Sequence, residues 1–178
     1  MKIGIIADLH DNLRHLEIVR QELLGHNVEL LLFCGDFDMP FSMRGFIDFN
    51  IPIKAVLGNG DPDIQKFQYQ LQNLQVLKSL DLDIGLRFQD ITVDGRRIAI
   101  SHGDDEALNK VIIESQLFDV FCLGHNHVPR INQEGKTTII NPGSLVGWFY
   151  EQPGRLVPVT YSIYNTTTGT AELYEAKL

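Results

Sequence analysis

Asp8, His10, Asp36, Asn59, His102, His125 and His127 stand in that order along the 178 residues. Carboxylate, carboxamide and neutral imidazole form the donor set of borderline divalent cations such as Mn²⁺, Fe²⁺, Ni²⁺ and Zn²⁺. A single ion rarely needs seven donors. Two ions roughly 3.5–4 Å apart would use them all, and such a pair stabilises both the entering and departing oxygens of an in-line displacement. Taken singly, each residue has a plainer reading: Asp8 or Asp36 as a turn cap, His10 as a loop hydrogen-bonder, Asn59 as turn chemistry before Gly60, His125 and His127 as surface residues. It is the joint pattern that predicts metal binding.

Each group follows an apolar run with the character of a β-strand: Ile3–Ala7, Leu30–Cys34, Ile53–Leu57, Ile98–Ile100 and Val120–Leu123. Ligand-bearing residues at the ends of five strands can converge on one rim of a sheet, where open α/β sheets bind their ligands. Residues 1–60 read as strand–helix–strand–helix–strand. Asn12 caps an expected helix over Leu13–Leu24, closed by Gly25, with Leu13, Leu16, Val19, Leu23 and Leu24 on its apolar stripe. A short helix is expected over Pro40–Asn50, and Asp61-Pro62 is a good start for a helix running to Leu74. From Leu86 the pattern alternates: a hairpin turns at Asp94-Gly95, and a helix over Asp105–Gln116 follows. Two further hairpins, over 130–140 and 157–175, complete the chain. A parallel first half and a hairpin-rich second half predict two packed sheets with helices outside, in one domain over residues 1–178.

Bulk composition narrows the function. A net charge of −8 and a pI near 5.1 argue against a protein that grips long nucleic acid through its backbone. No apolar stretch approaches the ~20 residues of a membrane helix. Residues 1–7 already form the first strand, so the expectation is a cytoplasmic protein without a secretory leader. Cys34 and Cys122 lie inside apolar runs and read as buried thiols, not as metal ligands.

At this point the motifs carry a resemblance. Asp8-x-His10, Gly35-Asp36, Gly58-Asn59, Ser101-His102-Gly103 and Gly124-His125-x-His127 resemble the calcineurin-like metallophosphoesterase superfamily. The short length and Asn141-Pro142-Gly143-Ser144 are most similar to its small YfcE-type phosphodiesterase branch. The resemblance implies a four-layer α/β/β/α sandwich of two mixed sheets flanked by helices. It implies that Asp8, His10 and His127 hold one divalent ion, that Asn59, His102 and His125 hold the other, and that Asp36 bridges. Hydrolysis would then proceed by attack of a metal-bridging hydroxide on phosphorus, with Asp36 and Asn59 acting through the metals. The substrate expected is a small phosphate ester, with a homo-oligomer compatible. The alternatives are a specific nucleotide phosphatase or cyclic-nucleotide phosphodiesterase, and a non-catalytic scaffold like the retromer subunit of this fold.

Two positions depart from the superfamily pattern. Gly60 stands where many phosphomonoesterases carry a histidine, which tilts the expectation toward diesters and activated esters, since a missing general acid costs ~10²–10⁴-fold in rate. Asp104 stands where relatives place a second histidine; it is expected to cap the next helix, with a hydrogen bond to a ligand histidine as the alternative. Asp61 is expected to cap the 62–74 helix. Asp61, Asp104 and Asn12 are also candidates for contacts to the ligands or substrate. Arg14, Arg44 and Arg130 are candidate phosphate contacts or surface ion-pair residues, and Trp148–Tyr150 is a candidate for a substrate rim, an oligomer contact or ordinary packing.

Overall fold

A computed structural model describes residues 1–78, 80–148 and 156–178. Six strands form the first sheet, in the order β11-β10-β1-β2-β3-β4. These are β1 (Lys2–Ile6), β2 (Leu30–Phe33), β3 (Ile53–Val56), β4 (Leu82–Gly85), β10 (Thr160–Asn165) and β11 (Thr170–Glu175). β1 to β4 are parallel; β10 runs antiparallel to both β1 and β11. The second sheet has the order β5-β6-β7-β9-β8, from β5 (Phe88–Val93), β6 (Arg96–Ser101), β7 (Val120–Cys122), β8 (Arg130–Glu134) and β9 (Thr137–Asn141). It is also mixed, with β6, β7 and β9 parallel inside antiparallel edges.

Period-two alternation along the strands separates the layers. Ile3, Ile5, Leu30, Leu32 and Cys34 face Ile98, Ile100, Val120, Cys122 and Ile140 of the other sheet. The alternate residues Ile6, Leu31 and Phe33 join a second core with helix α1 (Leu13–Gly25), the 3₁₀ helix Pro40–Phe49 and α2 (Ile64–Lys78). Ala99, Phe121 and Ile139 bury the outer face of the second sheet with α3 (Glu106–Ser115). The result is the four-layer sandwich, helices outside two mixed sheets. Among the described residues, no helix is long and apolar enough to cross a membrane.

Local expectations hold where side-chain chemistry dictates them. The Asn12 side chain accepts from the His15 amide and caps α1. Gly25 does not close that helix; it is its last residue, and the left-handed conformation falls to Asn27 (φ 58°). α2 begins at Ile64, not at Pro62, because Asp63 supplies the capping carboxylate to the Lys66 amide. Likewise α3 is capped by Asp105, which accepts from the Leu108 amide. The helix-cap readings of Asp61 and Asp104 are therefore corrected. β4 escaped the pattern reading because it is a short edge strand in which only Leu82 is buried. Cys34 and Cys122 are buried free thiols, and burial pushes both thiols up. Of the segment Trp148–Tyr150, Phe149 and Tyr150 lie outside the described residues.

Asp94 and Gly95 both take positive φ (49° and 76°), as a two-residue hairpin turn of the primed type requires. A Cβ on Gly95 would meet nothing within 4 Å, so only the backbone resists a side chain there. Gly95→Ala should lower the unfolding free energy by about 1 kcal/mol in urea denaturation. An unchanged midpoint would contradict this turn geometry.

Candidate active site

The loops leaving β1, β2, β3, β6 and β7 meet on one rim of the sandwich. Asp8 and Leu9 donate their amides to Gly35 O and Asp36 O (3.0 and 2.9 Å), and Gly124 donates to His102 O (2.8 Å). The Asn141–Ser144 segment ties the other side: Asn141 Nδ2 donates to Gly124 O (2.8 Å), and Ser144 Oγ to Asp8 O (3.1 Å). Five of the seven candidate ligands, Asp8, His10, Asp36, His125 and His127, have φ between 44° and 73°. Left-handed backbone at non-glycine residues costs of order 1–3 kcal/mol each and gathers at functional sites.

The imidazoles of His10, His102 and His127 share one orientation. His102 Nδ1 lies 2.8 Å from Cys34 O, His127 Nδ1 lies 3.2 Å from Trp148 O, and His10 Nδ1 lies 3.0 Å from the Asp38 carboxylate. A carbonyl or carboxylate oxygen only accepts, so each Nδ1 must carry the proton. Each Nε2 then faces the cluster: His10 Nε2 to His127 Nε2 is 3.2 Å, and His127 Nε2 to Asp8 Oδ1 is 3.4 Å. Asp36 Oδ2 is 3.3 Å from His102 Nε2 and 3.7 Å from His10 Nε2. His102 Nε2 also meets Asn59 Oδ1 at 3.0 Å.

The cluster seeks positive charge. Asp8 and Asp36 are buried, and among the described residues their ion pairs are with histidines, not with Lys or Arg. Burial opposes charge on His102, but the hydrogen bond to Asp36 and the fields of Asp8 and Asp36 push it up to about 9. His10 is raised in the same way against its burial, chiefly by Asp38. Burial raises Asp36, yet the His102 contact prevails and holds its carboxyl below the usual range. A divalent cation meets the same demand as these protons, and would displace them. Atoms of Asp8, His10 and His127 all lie within 4.8 Å of one another, as do those of Asp8, Asp36 and His102, and of His10, Asp36 and Asp38. The donor set and its packing fit a metal centre.

Not every candidate sits in these groups. His125 is exposed; its backbone amide donates to Asp8 (3.1 Å), and its ring centroid is 5.1 Å from that of His102. The Asn12 amide is engaged with His15 and Val146 O. Asp104 bonds to Arg87 Nη1 at 2.9 Å rather than to a ligand histidine. Arg14, Arg44 and Arg130 are exposed. Asp38 and Arg87 were not singled out in the sequence; the Gly-Asp-Phe-Asp run holding Asp38 was the available signal for the first.

Asp61 clamps two ligand loops. Its Oδ2 accepts from the Asp36 and Gly58 amides (3.1 and 2.8 Å), and its Oδ1 from that of Asp38 (2.9 Å). Burial, aided by the Asp36 charge, raises its pKa to about 6 against the pull of those three N–H donors. Gly58 and Gly60 complete the packing: a Cβ at position 58 would come within 2.0 Å of Asp36 Oδ1, and one at position 60 within 2.5 Å of Asp38 Oδ1. Gly60 instead donates its amide to Asp36 Oδ1 (2.7 Å).

The sequence profile described as the calcineurin-like phosphoesterase superfamily domain matches residues 1–169. The chain belongs to that superfamily. It is 30% identical over 148 residues to phosphodiesterase MJ0936 of Methanocaldococcus jannaschii, covering 83% of this chain and 86% of that protein. The structure of an archaeal phosphodiesterase superposes with a TM-score of 0.85 at 27% identity, over 98% of this chain and 99% of that one. YfcE, a phosphoesterase from E. coli, gives a TM-score of 0.67 at 18% identity over 99% and 100% of the two chains, a likeness of fold. Vacuolar protein sorting 29 from Cryptosporidium parvum shares the fold at 15% identity (TM-score 0.61), covering 99% of this chain and 97% of that one. Membership makes this chain a hydrolase of phosphate esters and its donor cluster the candidate metal centre.

Asp61→Ala leaves the buried Asp36 and Gly58 amides and the half-buried Asp38 amide without their acceptor, each such loss costing ~1–3 kcal/mol. In chelator, the variant should lose ~3 kcal/mol or more of unfolding free energy by urea titration, with Asp61→Asn intermediate. A loss below ~0.5 kcal/mol, typical of surface positions, would remove the clamp.

Proposed function

We propose that this chain is a two-metal phosphodiesterase. The observation that carries the reading is Asp36 Oδ2, one atom facing both His10 Nε2 and His102 Nε2. A ligand bridging two ions would take that position. Asp8, His10 and His127 would hold one ion, and Asn59, His102 and His125 the other. Mn²⁺, Fe²⁺, Ni²⁺ and Zn²⁺ all suit this set. A bound pair supplies Lewis acidity to the phosphoryl oxygens and acidifies water for in-line attack at phosphorus.

The chain's own residues set the geometry and the limits of the reaction. The Gly60 amide fixes the rotation of the Asp36 carboxylate by holding Oδ1, which leaves Oδ2 to the imidazoles. Asp61 fixes the spacing between the Asp36 and Asn59 loops through the Asp36 and Gly58 amides. Position 60 offers no imidazole to protonate a departing alkoxide. Esters whose alcohols leave unprotonated therefore suffer least, which favours activated diesters over alkyl monoesters. The name of the M. jannaschii relative, a phosphodiesterase, supports the same substrate class.

The test is hydrolysis of bis(4-nitrophenyl) phosphate. Chelation should abolish turnover, and Mn²⁺ or Ni²⁺ should restore it, with two ions per chain by elemental analysis. Asp36→Asn should lower kcat/KM on the order of 10²-fold or more, and Asp104→Asn less than about tenfold. Fewer than one ion per chain in excess metal would favour a scaffold instead, and equal metal loss in both variants would contradict the bridging assignment.

A further inference from the structure

A pocket of about 330 Å³ adjoins the donor cluster and shares Asn59 with it. Its size is at the lower end of small-molecule sites. Leu57, Pro62, Ile64 and Leu86 supply apolar walls, and Arg87 lines it beside them. Ile64 and Leu86 are 41% and 51% exposed, an arrangement that leaves apolar surface in water at the mouth of a polar site. Arg87 is held by Asp104 through one of the five N–H donors of its guanidinium, and its side chain is 59% exposed. One departure from the superfamily pattern bears on this pocket: Asp104 orients the Arg87 side chain that lines it.

We infer that this pocket receives one ester group of the substrate, and that the group is a planar aromatic or heteroaromatic ring. The inference rests on the phosphodiesterase reading, because it takes phosphorus to lie at the donor cluster. Asn59 belongs both to the donor set, 3.0 Å from His102 Nε2, and to the pocket wall, so an ester group on that phosphorus would adjoin the pocket. Apolar walls reward burial of ring faces, and a guanidinium stacks on a π-system as an ammonium does not. The volume suits one or two rings. The pocket thus discriminates between esters that the metal ligands, which read only the phosphate, cannot tell apart.

Non-hydrolysable phosphonates separate the pocket from the chemistry. Calorimetry on metal-loaded protein should show phenylphosphonate binding about tenfold more tightly than methylphosphonate, the discrimination expected of a modest apolar pocket. In Ile64→Ala/Leu86→Ala that ratio should fall toward unity; both side chains are exposed, and the double variant's far-UV circular dichroism reports its folding. Equal affinity of the two ligands for the unaltered protein overturns the inference without reference to any variant. Preference for phosphonoacetate over phenylphosphonate also overturns it, since a second anion and not a ring would then be the occupant. Binding of neither phosphonate would remove the metal-centre reading, and this inference with it.

Discussion

The architecture answers to one constraint: two buried carboxylates and three imidazole Nε2 atoms, all rich in lone pairs, are packed within a few ångströms of one another. Asp8 and Asp36 have no Lys or Arg against them among the described residues. Unpaired buried charge is expensive, so such a cluster persists only when positive charge is brought to it. Protons can fill that role, and the Asp36 hydrogen bond with the charges of Asp8 and Asp36 pushes His102 up to about 9 against its burial. Holding the lone pairs together takes acceptors behind each ring (Cys34 O, Trp148 O and Asp38) and left-handed backbone at five of the ligands.

Those demands explain the surrounding sheet. The ligand loops can only converge if β1, β2, β3, β6 and β7 end at one rim, and apolar alternation on both faces fixes their registers. Where the loops touch, glycine is required. Asp36 and Gly58 are so close that any side chain at 58 would displace the carboxylate. A side chain at position 60 would likewise press on Asp38, the residue that orients His10.

Much of this was legible in the residues. The strand-then-ligand order marked the rim, and the Asp-Gly turn and the Asn12 cap followed from local chemistry. The misreadings came where two adjacent residues could serve equally. Asp61 and Asp63 flank the same proline, as Asp104 and Asp105 adjoin each other, and only the fold decides which carboxylate points into the helix. The freed partner then finds distant company. Asp61 reaches the Asp36 loop 25 residues away, and Asp104 reaches Arg87 across 17. Such pairings leave no periodic trace, and β4, an edge strand with one buried residue, leaves little more.

Nitrogen-15 NMR of histidine-labelled protein, titrated with diamagnetic Zn²⁺, probes the central claim most directly. The account predicts that His10, His102 and His127 keep their Nδ1 protons throughout while their Nε2 resonances shift to the metal-bound range, each releasing any proton it held. Nε2 signals of these three that ignore saturating Zn²⁺, or binding through Nδ1, would contradict it.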